Sequence, residues 1–233
     1  MRPRQCGPIY GCRKVIIQYI FISRKCIINT FNVAFMIKTA ADIINGFPRI
    51  YREPYHHLSF LERTGEIFQL KRGLYETDSK ADPLALAASI AGPSYLSFET
   101  ALSYYGLIPE RTLTYLSASY LFRKRKAFSN HFGTFVYLDV PAKAYPLGTR
   151  FFEIGGRKVE IATPEKALCD ILCKAVTMKT VEELKEWLYS FMRMDEEDIL
   201  ALDRTAIESW TLLYGKKNVS LLVAYLKGGR KDE

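Results

Sequence analysis

Few residues in this 233-residue chain are of a type and spacing that could do chemistry. Glu165, Lys166 and Asp170 pair two carboxylates with an amine inside one turn and a half of helix, a combination that a phosphodiester-cleaving site could use. Thr163 and Pro164 precede them in the order of an N-cap and first helical residue, and a capped amphipathic helix accounts for the same spacing without catalysis. Cys169 and Cys173 lie four apart with no C-x-x-C pair and no neighbouring histidine, so they read as small apolar packing residues in a reducing compartment. No metal and no cofactor is expected. A third group is cationic: Lys71 and Arg72 precede Gly73 in a tight turn, Arg49, Arg52, His56, His57 and Arg63 lie just upstream, and Arg123, Lys124, Arg125 and Lys126 form the densest run of charge. Cations of this kind can meet phosphate, or an acidic protein face, and they can equally be a solvated surface. The chain contains no glycine-rich phosphate loop after a strand, no H-E-x-x-H and no G-x-S-x-G, so a non-enzymatic role is the stronger expectation.

The elements that must position these groups can be read in outline. Thr39 caps a short helix ending at Gly46, Pro48 and Pro54 punctuate a connection, and Tyr55, Leu58 and Leu61 mark a second helix that stops before Gly65. Residues 67–70 and 74–77 then form a hairpin whose tip carries Lys71 and Arg72. Helices followed by a basic-tipped hairpin have the layout of an abbreviated winged helix-turn-helix, one helix short of the usual three. Residues 78–82 read as a linker. Pro83 to Ala91 predicts a helix, and Ser97 to Tyr105 a second, with Ser97 as N-cap, Glu99 in the first turn and Gly106 as the left-handed C-cap. Strand-like segments at 112–120, 133–140, 149–154 and 158–161, the last two joined by Gly155-Gly156, predict an antiparallel sheet with the basic run 123–126 in a loop between its first two strands. In the helix from Thr163, Lys166, Asp170 and Lys174 share a polar face opposite Leu168, Ile171 and Leu172, and helices at 181–192, 195–202, 206–214 and 219–226 complete the chain.

Composition is that of an ordinary globular protein, with 48% hydrophobic and 25% charged residues. The net charge of +8 is unevenly held, because Arg2, Arg4, Arg13, Lys14, Arg24 and Lys25 fall in a first segment of 35 residues that has no acid. That segment has two short apolar runs, neither long enough to span a membrane, and lacks a clear cleavage site. It is set aside as a doubtful leader, with Met36 as the effective start, either upstream sequence or a poorly ordered arm. The expected class is therefore α+β: a leader at 1–35, a winged-helix-like module at 36–78 and an α+β domain at 79–233 whose end is helical. The expected location is the cytoplasm, with no membrane partner.

Several motifs, in consistent order over about residues 66–175, resemble a known family. They are L-K-R-G-L-Y at Leu70 to Tyr75, D-P-L-A-L-A at Asp82 to Ala87, Y-L-S-F-E-T-A-L-S-Y-Y-G-L-I-P-E at Tyr95 to Glu110, F-G-T-F at Phe132 to Phe135 and A-T-P-E-K-A-L-C-D at Ala162 to Asp170. Together they resemble the AbiEi-type antitoxins, transcriptional regulators of abortive-infection toxin–antitoxin systems in phage defence. The resemblance implies an N-terminal winged helix that binds inverted repeats in its own promoter, and a C-terminal domain that counters a nucleotidyltransferase-like toxin encoded beside it. On this chain the wing corresponds to residues 67–75, which makes Lys71 and Arg72 the foremost DNA candidates, with Arg49, Arg52, His56 and Arg63 beside them. Arg123 to Lys126 is a further candidate for phosphate or partner contact. A protein-interaction module without DNA reading, or an unrecognised nuclease, are the alternative expectations.

Overall fold

The computed structural model describes residues 37–48, 52–109, 113–120, 124–145 and 147–228. The expected leader, and Arg49 and Arg123 among the candidate cations, lie outside them. The class is α+β, with a small three-stranded sheet and a larger six-stranded one.

Strand β1 (Ile37–Thr39) was not foreseen; it is short, and its three residues carry little periodicity. It leads directly into α1 (Ala40–Asn45), where Thr39 and Asp42 form a reciprocal capping box. Pro54 opens α2 (Pro54–Arg63), which buries Leu58 and Leu61. Next come β2 (Phe68–Lys71) and β3 (Leu74–Glu76), and β1 closes on β3 to give the order β1-β3-β2. Ile43, Leu58, Leu61, Ile67 and Tyr75 make a separate small core. A register shift between Gln69 and Lys71 marks a bulge in β2, and Leu70 belongs to the other, larger core. The hairpin thus feeds one hydrophobic cluster with Ile67 and Tyr75 and the other with Leu70, Phe68 and Leu74, as the alternation of strand faces dictates.

Helix α3 (Pro83–Ile90), capped by the Asp82 side chain, packs on β4 (Ser94–Leu96). Helix α4 (Phe98–Tyr104) follows and ends where Gly106, at φ +77°, takes the left-handed position expected of it. The large sheet adds β5 (Thr114–Ser119), β6 (Lys126–Asn130), β7 (Gly133–Asp139), β8 (Thr149–Ile154) and β9 (Arg157–Ala162), in the order β6-β7-β5-β4-β9-β8.

The expectation of an antiparallel sheet needs correction: β5 pairs with β7, and β4 with β9, in parallel. The reason lies in the two hairpins. In each, one strand takes the inner place and is the more deeply buried: β7 buries Phe135, Val136 and Tyr137 and β9 buries Val159 and Ile161, while β6 and β8 go to the edges. Edge positions suit their exposed Lys126, Arg150 and Glu153, which discourage pairing with another chain. The β8–β9 turn is the foreseen one, with Gly155 and Gly156 at φ +56° and +71°, the two positive values that a type I′ hairpin requires.

Helix α5 (Pro164–Lys174) starts as expected, with Thr163 accepting the Lys166 N–H and Pro164 in the first turn. Around it lie α6 (Val181–Glu186), a π-helical turn (Trp187–Phe191) replacing the second half of the helix foreseen at 181–192, α7 (Glu196–Ala201), α8 (Arg204–Tyr214) and α9 (Lys217–Gly228). Helices α4, α8 and α9 pack on α5 and enclose it. No helix among the described residues is long and apolar enough to cross a membrane.

Candidate nucleic-acid interface and a buried ionic network

Leu58 and Leu61 turn one side of α2 into the small core and leave Tyr55, His56, Ser59, Glu62 and Arg63 on its exposed side. Arg52, just before the helix, is exposed as well. Within α2, positions 56, 59 and 63 follow one another at helical spacing, so His56 and Arg63 lie on one polar stripe, and Arg52 stands on the chain leading into it. The stripe is not purely cationic. His56 lies 3.5 Å from the Glu53 carboxylate, and Arg63 donates back to the Ser59 carbonyl at 3.4 Å.

At the hairpin the two foremost candidates part company. Arg72 is exposed at the turn, where a guanidinium can reach a phosphate. The Lys71 ammonium instead donates to the Ile90 carbonyl at the end of α3, a helix terminus that carries partial negative charge. Lys71 therefore joins the module to the large domain. The joint has two more bonds: Asn130 Nδ2 donates to the Leu70 carbonyl at 3.0 Å, and Arg157 Nη2 meets the Glu76 carboxylate at 2.7 Å. Glu76 has no exposed surface, and the Thr77 and Asp78 N–H groups also donate to it, at 2.8 and 3.0 Å. Phe68 packs on His131 with ring centroids 4.5 Å apart.

Lys124, Arg125 and Lys126 are exposed at the start of edge strand β6. Lys126 is thus part of a strand, not of the loop expected from its charge; Ala127 and Phe128 continue the strand too briefly to signal it beforehand. Four residues of extended chain place Lys126 about 13 Å from Asn130, the end of β6 that touches β2.

The largest departure from expectation concerns Lys166 and Asp170. Their polar face is not solvated: the two side chains are 1% and 0% exposed and form an ion pair at 3.0 Å. Only Lys174, of the three, reaches the surface, where it pairs with Asp139 at 2.7 Å. Asp170 Oδ1 accepts from Lys166 and from the Tyr214 hydroxyl, and Oδ2 accepts from Tyr95 at 3.0 Å and Ser97 at 2.7 Å. Lys166 also donates to Tyr214 and lies over its ring, 4.8 Å from the centroid. Burial and the Asp170 charge hold the Tyr95 and Tyr214 hydroxyls far above the usual phenol range, so both remain donors.

Ser97 is consequently not the side-chain cap predicted for α4; a fully buried carboxylate claims its hydroxyl instead. Gly148, at φ +67°, completes the closure, because a Cβ there would stand 2.6 Å from Trp210 and 2.9 Å from the Lys166 Cβ. Glu165 accepts the Asp203 N–H at 3.1 Å and so ties α5 to the start of α8. The three residues that resembled a hydrolytic trio thus form a joint between β4, α5 and α8, closed to solvent at Lys166 and Asp170. Only the mutual satisfaction of donors and acceptors explains two buried charges here, and no spacing in the sequence announces it.

No protein-family model matches the chain, and no curated protein matches it. Cys169 and Cys173 are buried, and burial raises both thiols above their ordinary pKa. Among the described residues, no group of three or more His, Cys, Asp or Glu side chains is placed to hold a metal ion.

Proposed function

We propose that this chain is a DNA-binding regulator of the AbiEi antitoxin type, in which residues 37–76 contact operator phosphates and the domain from α3 onward carries the antitoxin role. The observation that carries the reading is the order β1-α1-α2-β2-β3, with β1 closing the hairpin into one sheet and the polar stripe of α2 exposed beside it. That order is the winged-helix order from its first strand onward. Arg72 at the turn, His56 and Arg63 on α2 and Arg52 just before it are the contacts, through phosphate more than through base edges. The motifs at residues 95–110 and 162–170 support the antitoxin half, directed at a nucleotidyltransferase-like toxin encoded nearby.

Fluorescence anisotropy with the chain's own upstream DNA tests the first half. Binding is expected to weaken with salt, and Arg72→Ala is expected to weaken it and to reduce the slope of log K against log salt by about 1. Lys71→Ala is expected to act on stability first. Binding indifferent to salt and to Arg72 would sink the assignment. Co-expression with the neighbouring gene, scored as growth rescue, tests the second half. Rescue without any DNA binding would favour the pure interaction module, a reading supported by Glu53 and Glu62, which dilute the positive charge of the α2 surface.

A further inference from the structure

Away from α2 and the hairpin turn, the large domain holds an open pocket of about 620 Å³ that the DNA-binding reading leaves unused. Its floor and walls come from four places: Asp82 at the start of α3, Glu99 and Tyr104 on α4, Tyr115 on β5, and Phe191 at the end of the π-helical turn with Met192 beside it. Two features of the lining set its chemistry. First, both ionisable acids are carboxylates, and none of the described residues that line it is Lys, Arg or His. Second, three aromatic rings, Tyr104, Tyr115 and Phe191, share the space with them, and Phe191 is 70% exposed.

The two acids are differently held. One Asp82 oxygen accepts the Leu84 N–H at 2.9 Å as the cap of α3. Glu99 is half-buried and makes no ion pair with another described residue; among the described residues its own backbone N–H favours its charged form. It reaches this position because Phe98, which precedes it, turns the chain at φ +56° between β4 and α4.

We infer that this pocket binds an organic cation, a guanidinium or primary ammonium group on an alkyl stem, with Glu99 and Asp82 taking the charge and Tyr104, Tyr115 and Phe191 the stem and the cation's face. A carboxylate in a partly desolvated wall gains most from a partner of opposite charge, and aromatic faces attract the same partner through their quadrupoles. An anionic ligand would meet two like charges, and a wholly apolar one would leave both carboxylates desolvated and unpaired. A volume of this size admits a side chain or a small diamine and several waters.

Calorimetric titration of the full chain separates the two sources of such a cation. The probes are N-acetyl-arginine methylamide, standing for the side chain of a partner protein, and 1,4-diaminobutane, standing for a free amine. N-acetyl-citrulline methylamide, isosteric with the first and uncharged, is the control. Expected is saturable binding of at least one cation, loss of about tenfold or more in affinity in Glu99→Gln, and a smaller loss in Asp82→Asn, which keeps the helix cap. Tighter binding of the arginine probe would assign the pocket to a protein partner; tighter binding of the diamine would assign it to a small molecule. Circular dichroism establishes that each variant is folded. No saturation by either cation at millimolar concentration, equal binding of the citrulline probe, or affinity unchanged in both folded variants overturns the inference.

Discussion

The two cores of this molecule solve stability differently. Among the described residues, five buried side chains, Ile43, Leu58, Leu61, Ile67 and Tyr75, hold the N-terminal module, whereas the large domain is continuous from Leu70 to Leu226. A core of five side chains is small for an independent fold, since short chains bury too little apolar surface to offset their ordering entropy. The module therefore borrows rigidity: Lys71, Glu76 and Leu70 all engage the large domain, and all three come from the hairpin. The large domain has apolar surface to spare and places two full charges in its interior. Polarity is spent at the seam in one region and at the centre in the other.

The hardest blow to that contrast falls on the centre. Asp170→Ala leaves the Lys166 ammonium buried without its carboxylate and frees Tyr95, Ser97 and Tyr214 from their acceptor. A loss of about 3–5 kcal/mol is expected, read as a lower urea midpoint. Lys166→Met combined with Asp170→Leu removes both charges and is expected to recover much of that loss, because the pair is a joint rather than a source of net stability. An Asp170→Ala midpoint within error of the parent would mean that the network is not closed as described.

The seam comes next. Arg157→Ala strands the Glu76 carboxylate, which keeps the Thr77 and Asp78 N–H bonds but no cation. About 2–3 kcal/mol is expected to go, less than at the centre because Arg157 is partly exposed. Hydrogen exchange distinguishes the site of the loss. Amides of β1, β3 and α2 are expected to exchange faster while those of α5 and β7 hold; uniform acceleration would show that module and domain unfold as one unit. In DNA titrations the same variant sharpens the comparison further, since a loosened module presents Arg72 and the α2 stripe in many orientations and binds more weakly with Arg72 intact.

What the sequence made legible follows the same division. Most caps, breakers and turns were readable because each is local: Thr39, Gly106, Gly155-Gly156 and the Thr163-Pro164 pair stand as expected, and the Ser97 cap fails because distant Asp170 claims its hydroxyl. Strand direction was not, since β5 and β7 become parallel neighbours only after β6 is sent to the edge, a competition between strands distant in the chain. Likewise Lys166 and Asp170 have the spacing of a solvated i, i+4 pair, and only partners at Tyr95, Ser97 and Tyr214 distinguish a buried one. The candidate cations Arg52, His56 and Arg63 were visible as composition, but the inward turn of Lys71 was not, because its acceptor, Ile90, lies nineteen residues on. The pocket was invisible for the same reason, being assembled from four separate segments.

The smallest expected effect bears on that pocket, and its sign is opposite to the others. Burial raises the Glu99 carboxyl above its ordinary pKa, so the folded chain holds this proton more tightly than the unfolded chain does. Stability from this group is therefore fully present below the unfolded pKa and is lost as pH rises through the folded value. Glu99→Gln removes the penalty. The variant is expected to melt slightly above the parent at neutral pH and level with it in acid, where Glu99 is protonated in both states. A variant that melts below the parent at neutral pH would show that the Glu99 charge has a stabilising partner. A cation bound in the pocket offsets the penalty that the empty pocket bears, so the gap between parent and Glu99→Gln is expected to close or reverse when the cation is present.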